Sequence, residues 1–279
     1  MRGQLDHVTI AWDDLDEVRA TFGDAGLDTD YGGAHDNAVT HMAVVGFDDG
    51  TYLELVSTID AGDPESSLWG PYIVDNAGPT AWALGVTDVA EEAKRAIDAG
   101  LPVSGPQQLS RERPDGRAAE WDEAFIGTDA EREKLPFVIA DRTPRRHRIE
   151  PSPTVAAGPL DGLETVVVAV DDIPSVTTLF SRLHRLPSPR LTENDRFDAK
   201  LATFPGHPVA FVTPRNGSIL TDRLTQFGES PCAYLLGTTA FETALDRYPL
   251  VPDGEWGSRR IAWFDGNPPI DRLGVIETE

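Results

Sequence analysis

The feature that most narrows what this 279-residue chain can fold into is that it repeats itself. Residues 14–27 (DLDEVRATFGDAGL) return as residues 88–101 (DVAEEAKRAIDAGL), each opening on Asp and closing on Asp-Ala-Gly-Leu, at a constant offset of 74 residues, from 14 to 88. Both copies follow a strand-like run, 5–12 and 80–86, and their apolar spacing near 3.6 predicts a helix. Asp14 and Asp88 stand where an N-cap belongs, and Gly26 and Gly100 suit the C-terminal end. Three strand candidates follow each helix: 28–33, 38–47 and 52–57 in the first unit, 103–109, 118–126 and 136–140 in the second. The turn signals Asp48-Asp49-Gly50 and Pro114-Asp115-Gly116 separate them.

The same order returns in the second half. Leu163–Asp172 (LETVVVAVDD) matches Leu5–Asp14 (LDHVTIAWDD) at an offset of 158, from 5 to 163. A helix is expected over 173–184, with strands near 199–204 and 209–213. A weaker fourth unit offers a strand at 232–237, a helix at 240–247 and strands at 259–264 and 273–277. The expectation is an α+β chain of four βαβββ units in two pairs, with more strand than helix. The first domain is expected over 1–144 (units 1–58 and 79–144), a Pro-rich linker over 145–159, and a second, degenerate domain over 160–279 (units 160–216 and 219–279).

Composition narrows the partners. The formal net charge is −23, from 47 acidic against 24 basic residues, and a surface that negative repels phosphate backbones and anionic headgroups. Nucleic acid and membrane are therefore not expected as partners. The acids divide into 29 Asp and 18 Glu, whereas lysine occurs only at Lys94, Lys134 and Lys200. An Asp-rich, Lys-poor surface suits a high-salt cytoplasm, where ions screen the self-repulsion. No apolar run approaches the roughly 20 residues of a membrane-spanning helix, and the first ten residues lack the apolar stretch of a signal peptide, so a cytoplasmic location is expected. The single cysteine, Cys232, excludes an intrachain disulfide and a cysteine-based zinc cluster. No Gly-rich phosphate loop, nucleophile elbow or HExxH motif occurs.

Several motifs together resemble the vicinal oxygen chelate superfamily of glyoxalase I, bleomycin-resistance proteins, fosfomycin-resistance enzymes and extradiol dioxygenases, and its glyoxalase-like group in particular. They are Leu5-Asp6-His7-Val8, Gly32-Gly33 with His35, Thr40-His41, and Asp49-Gly50-Thr51-Tyr52-Leu53-Glu54-Leu55. The second unit adds Trp82-Ala83-Leu84, Arg113-Pro114-Asp115-Gly116 and Leu135-Pro136-Phe137. The resemblance covers residues 3–142 well and the remainder only at the level of the repeat. It implies that paired units form cupped mixed sheets, with a divalent metal in the cup held from the first and last strands.

His7 and Glu54 match those metal-ligand positions, and strand alternation turns both toward the cup, with Val8, Ile10, Leu53 and Leu55 on the helix side. Imidazole and carboxylate suit Mn, Fe, Ni, Co or Zn. The partner unit, however, offers Ala81 opposite His7 and neither acid nor histidine for Glu54. His41 could supply a third ligand if Met42 and Val44 face the helix, and His35 in its Gly-rich loop is another candidate. A bound metal and a metal-free, hydrogen-bonded pair lining a pocket both stay open. Tyr52 shares the cup face with Glu54. Arg111 and Arg113, with Arg117 nearby, could fork onto a carboxylate or phosphate of a ligand. Trp121 lies on the following strand, and Trp69 sits in the long 59–79 connection, where it could cover the cup. The run Arg145-Arg146-His147-Arg148 reads as a tie between acidic surfaces of the two domains.

Two functions follow from the resemblance. One is an isomerase or lyase acting on a small oxygen-rich molecule, in which a metal at His7 and Glu54 polarises vicinal oxygens and the Glu54 carboxylate moves a proton. The other is a non-catalytic binder of the bleomycin-resistance type with a degenerate metal site. A scaffold with both cups filled is a third reading, against which Ala11, Ala43 and Ala81 argue. Four units permit a monomer and equally a homodimer.

Overall fold

A computed structural model describes residues 1, 3–35, 37–59, 62–128, 131, 133–215 and 219–279. The first unit runs β1 (Gln4–Ala11), α1 (Leu15–Asp24), β2 (Asp30–Ala34), β3 (Thr40–Gly46) and β4 (Tyr52–Thr58). A connection carrying α2 (Gly70–Val74) leads to the second unit: β5 (Gly78–Gly85), α3 (Val89–Asp98), β6 (Val103–Glu112), β7 (Ala118–Ile126) and β8 (Phe137–Asp141). Two short helices, α4 (Arg145–Arg148) and α5 (Pro153–Ala156), precede the third unit of β9 (Gly162–Ala169), α6 (Ile173–His184), β10 (Arg190–Asn194), β11 (Ala199–Thr203) and β12 (Val209–Pro214). After α7 (Ile219–Phe227) come β13 (Ser230–Thr238), α8 (Phe241–Arg247), β14 (Leu250–Trp256), β15 (Arg259–Phe264) and β16 (Leu273–Glu277). These form two eight-stranded mixed sheets of the same plan, ordered β2-β3-β4-β1-β5-β8-β7-β6 and β10-β11-β12-β9-β13-β16-β15-β14. Each is a pair of βαβββ units joined centrally by an antiparallel pairing, β1 on β5 and β9 on β13. The expected α+β architecture of two cupped domains is therefore the architecture of the chain.

Local chemistry explains the helices. Asp14, Asp88 and Asp172 each accept a hydrogen bond from a backbone N–H in the first turn of the helix they cap. The capless α8 is only seven residues long. Gly26 and Gly100 both adopt φ +81, the left-handed conformation that closes α1 and α3. Between the sheets lies one continuous core. Val8, Ile10, Leu53 and Leu55 meet Val18 and Phe22 of α1, and Trp82 stacks on Phe180 of α6 at 6.3 Å. Fully burying a side chain of this size contributes about 1.5–3 kcal/mol.

The edge strands β10 and β14 are the elements the pattern misses. Arg190–Asn194 is polar and almost wholly exposed, and β14 carries Pro252 and Gly254 within a bulge, so neither alternates. The α7 segment is also unanticipated, and it determines the fate of the second cup. Leu220 of α7 packs with Phe197, Trp256 and Trp263, whose rings meet edge-on at 5.5–6.4 Å, and these side chains fill that concavity. Among the described residues, the first cup keeps a cavity with the buried side chains of His7 and Glu54 at its base, whereas the cavity left in the second half is lined by Thr165, Arg190, Trp256 and Arg259.

The stretch expected as a linker packs against the first sheet. Ser152 N–H donates to the Gly46 carbonyl at 2.9 Å, and Gly46 N–H donates to Ser152 Oγ at 3.1 Å. Its basic run ties no two domains together. Arg145 and Arg148 both reach Asp6 and Asp141, which belong to the first half.

Candidate functional site

The site begins with an irregularity in β1. Leu5 pairs with Leu84 and His7 with Ala83, so Asp6 is an extra residue in the ladder. Such a bulge re-aims side chains, and here it lets consecutive residues meet: Asp6 Oδ1 accepts from His7 Nδ1 at 2.6 Å. The Arg148 guanidinium grips Asp6 with two parallel bonds of 2.8 Å and donates to the Tyr52 hydroxyl at 2.9 Å and to Asp141 Oδ1 at 2.6 Å. Burial alone would raise the Asp6 pKa, but the charge and hydrogen bonds of Arg148, with those of His7, hold it well below the usual carboxylate range. An ionised Asp6 can only accept, so Nδ1 of His7 carries a proton, and whenever the ring holds a single proton Nε2 keeps its lone pair. The His7 ring is clamped by Tyr52, stacked at 4.6 Å, and by the edge of Phe137 at 5.3 Å.

Glu54 sits on the next strand, with Thr9 as its cross-strand partner in the parallel β1–β4 pairing. Thr9 Oγ1 donates to Glu54 Oε2 at 3.1 Å, and His35 Nε2 approaches Oε1 at 3.4 Å while its Nδ1 lies 2.7 Å from Thr40 Oγ1. Burial pushes the Glu54 pKa up, but the hydrogen bond and charge of His35, the charge of His7 and the Thr9 hydroxyl together bring it down to about 2.

These groups form one end of a cavity of about 300 Å³ enclosed by the first sheet. The register explains its other end. If His7 corresponds to Ala81, Thr9 corresponds to Ala83, and the parallel pairing of Ala83 with Phe137 puts a phenyl ring where Thr9 has Glu54. The second unit has thus replaced both polar positions with apolar ones. Phe137 stacks on Phe125 at 5.1 Å, Trp69 comes down over Phe125 at 6.4 Å, and Trp121 joins the same cluster. Glu123 also lines this end, accepting from Trp121 Nε1 and Gln107 Nε2, each at 3.1 Å.

Of the residues singled out from sequence, His7, Glu54, Tyr52, Arg111, Trp69 and Trp121 line this one cavity. His41 does not. Thr40 and Met42 face the cavity and Met42 and Val44 pack against Tyr52, so the alternation of β3 turns His41 to the opposite face, where it meets the edge of Tyr31 at 6.0 Å. Arg113 lies outside as well, donating to Glu150 at 3.2 Å on the exposed turn. Arg111 is 3% exposed, but both ends of its fork are committed to carbonyl oxygens, Gly32 at 2.9 Å and Arg148 at 2.8 Å, so it joins β6 to β2 and to α4. Sequence reasoning missed Asp6 and Arg148. Alternation assigns Asp6 to the face opposite His7, and nothing local marks which arginine of a basic run is buried. Phe125 and Phe137 were legible in principle, since each lies on the cup face of a strand containing a residue already noticed.

The donor set does not fit a resident divalent metal. No group of three or more His, Cys, Asp or Glu able to hold one occurs among the described residues. The partner unit contributes Ala81 and Phe137 where further ligands would stand.

Residues 5–184 match the family described as Glyoxalase-like domain. No curated protein matches the sequence. Solved structures share the whole plan: a hypothetical protein from Staphylococcus aureus (TM-score 0.63, 14% identity, covering 98% of each chain) and a mutant of 4-hydroxymandelate synthase from Streptomyces coelicolor (0.60, 14%, 99% of this chain and 92% of that one). A halotolerant catechol dioxygenase is similar over 100% of this chain and 87% of its own, with a TM-score of 0.56 and 11% identity. At these identities the likeness is one of fold.

Proposed function

Because the chain belongs to the glyoxalase-like domain family, we propose that its N-terminal cup binds a small molecule and moves a proton on it, as an isomerase or lyase does. The observation that carries this reading is the 2.6 Å contact between Asp6 Oδ1 and His7 Nδ1. A carboxylate fixed by Arg148 sets the tautomer of His7, points its Nε2 lone pair at the ligand and stabilises the imidazolium that forms when Nε2 takes a proton. Glu54, with its pKa near 2, is a poor base at neutral pH and serves as an ionised acceptor that orients the ligand. His7 therefore takes the proton-moving role that the family resemblance gave to the carboxylate.

The test is solvent exchange in D₂O, followed by proton NMR, with α-hydroxy ketones and α-oxo aldehydes as probes. Wild-type protein should wash out the C–H signal of at least one probe, with or without chelator, and His7→Gln should not. Loss of the activity on chelation would overturn the metal-free chemistry. If no probe exchanges, the binder reading takes over, which the apolar replacements Ala81 and Phe137 already favour. The acid-rich composition supports a salt-rich setting for either function.

A further inference from the structure

The cavity is polar at one end and largely aromatic at the other, where the Glu123 carboxylate is already held by Trp121 and Gln107, and the groups at the polar end share one property. The Glu54 carboxylate accepts hydrogen bonds, and among the described residues Oε1 receives the long 3.4 Å approach of His35. His7 Nε2, in the singly protonated ring whose tautomer Asp6 imposes, is an acceptor too. A ligand head placed between them must therefore donate. A carboxylate head would bring only acceptors, and its charge would oppose that of Glu54. An ammonium head would donate too, but at this end it would sit with Arg111, a buried guanidinium whose Nη groups donate to uncharged carbonyl oxygens, while the Glu123 carboxylate lies at the far end, held by Trp121 and Gln107. A hydroxyl meets both constraints. The far end, where Phe125 and Phe137 stack and Trp69 and Trp121 close in, offers flat faces to a ring system. A volume of about 300 Å³ is at the small end for ligand pockets, roughly 300–1,000 Å³.

We propose that this cup takes a planar, uncharged compound bearing a hydroxyl at one end, lying with the hydroxyl between His7 and Glu54 and its rings among Trp69, Trp121, Phe125 and Phe137. The proposal rests on the reading of this cavity as the functional site and names its ligand class. The two units then divide the work: the first supplies the hydrogen-bonding pole, the second the ring-binding pole.

Calorimetric titration of the full chain with three matched probes tests it: 2-naphthol, 2-naphthoate and protonated 2-(aminomethyl)naphthalene. The naphthol should bind about tenfold or more tightly than either charged probe. Glu54→Gln should bring the naphthoate about tenfold closer to the naphthol, and Trp121→Ala should weaken all three alike. Equal or tighter binding of a charged probe by the wild type, or no binding of any probe, overturns the proposal without reference to the variants. The D₂O experiment reads the proton-transfer function separately. The expected binding order without exchange leaves the ligand class standing, and exchange with a reversed order removes the ligand class alone.

Discussion

Tyr234, in the second half of the chain, places its hydroxyl 2.8 Å from the carbonyl oxygen of Thr9, in the floor of the first cup. The β1–β5 ladder shifts register between Thr9 and Ile10, and the Tyr234 hydroxyl fills that break. It accepts from Thr80 N–H at 3.0 Å and donates to the Thr9 or the Ala81 oxygen, both at 2.8 Å. Thr9 is also the residue whose side chain holds Glu54. The filled half of the molecule is thus joined by a buried hydrogen bond to the floor of the open one.

Tyr234→Phe removes that hydroxyl and leaves a buried N–H and carbonyl without their partner, which costs about 1–3 kcal/mol. Urea unfolding read by tryptophan fluorescence should show the midpoint fall in a single transition. An unchanged midpoint would mean that the two halves do not depend on this contact.

Arg148 is 4% exposed and holds Asp6 in a bidentate grip. Arg148→Met removes the buried bidentate partner of Asp6, leaving it to Arg145 and His7, and should destabilise the fold by about 1–3 kcal/mol at neutral pH. Arg148→Lys should recover only part of that loss, because an ammonium cannot reproduce the planar fork. The difference between wild type and Arg148→Met should shrink in acid as Asp6 protonates. A deficit that is independent of pH would assign the arginine a packing role only.

Acid sensitivity follows from Glu54. Its pKa of about 2 in the folded chain lies below the ordinary 4.5, so the native state binds fewer protons than the unfolded state between those values. The stabilisation is complete above pH 4.5 and is lost as pH falls from there through about 2. Asp6, also depressed, adds in the same direction. In Glu54→Gln the acid limb of a stability-against-pH curve should be shallower, and an identical limb would contradict the shift.

With a net charge of −23, the folded chain repels itself most at low salt. Raising KCl from about 0.1 M to about 1 M shortens the screening length from about 10 Å to about 3 Å and should raise the thermal midpoint by several degrees. A midpoint that stays flat or falls would remove the argument for a salt-rich setting.

Much of the fold was legible because its signals are local. The echo of 14–27 in 88–101, the capping aspartates and the alternation around His7 and Glu54 each depend on residues a few positions apart. A second echo also lay in the sequence: Pro79-Thr80-Ala81-Trp82 and Pro231-Cys232-Ala233-Tyr234, offset by 152 from 79 to 231, carry the bulged central strands of the two halves. The edge strands β10 and β14 were hidden because a strand with one unpaired side and an exposed surface needs no apolar alternation.

The sequence by itself determined the fourfold repeat and the cup-facing alternation around His7 and Glu54, because helical and strand periods are properties of neighbouring residues. Only the tertiary structure decided which polar groups meet. Asp6 reaches His7 because the ladder bulges, Arg148 reaches Asp6 from far along the chain, and Met42 rather than His41 faces the cup because of how β3 is registered on β4. The packing of Phe197, Trp256 and Trp263 into the second cup, while the first keeps His7 and Glu54 at the base of its cavity, is likewise a matter of contacts between elements distant in sequence, and no local period carries it.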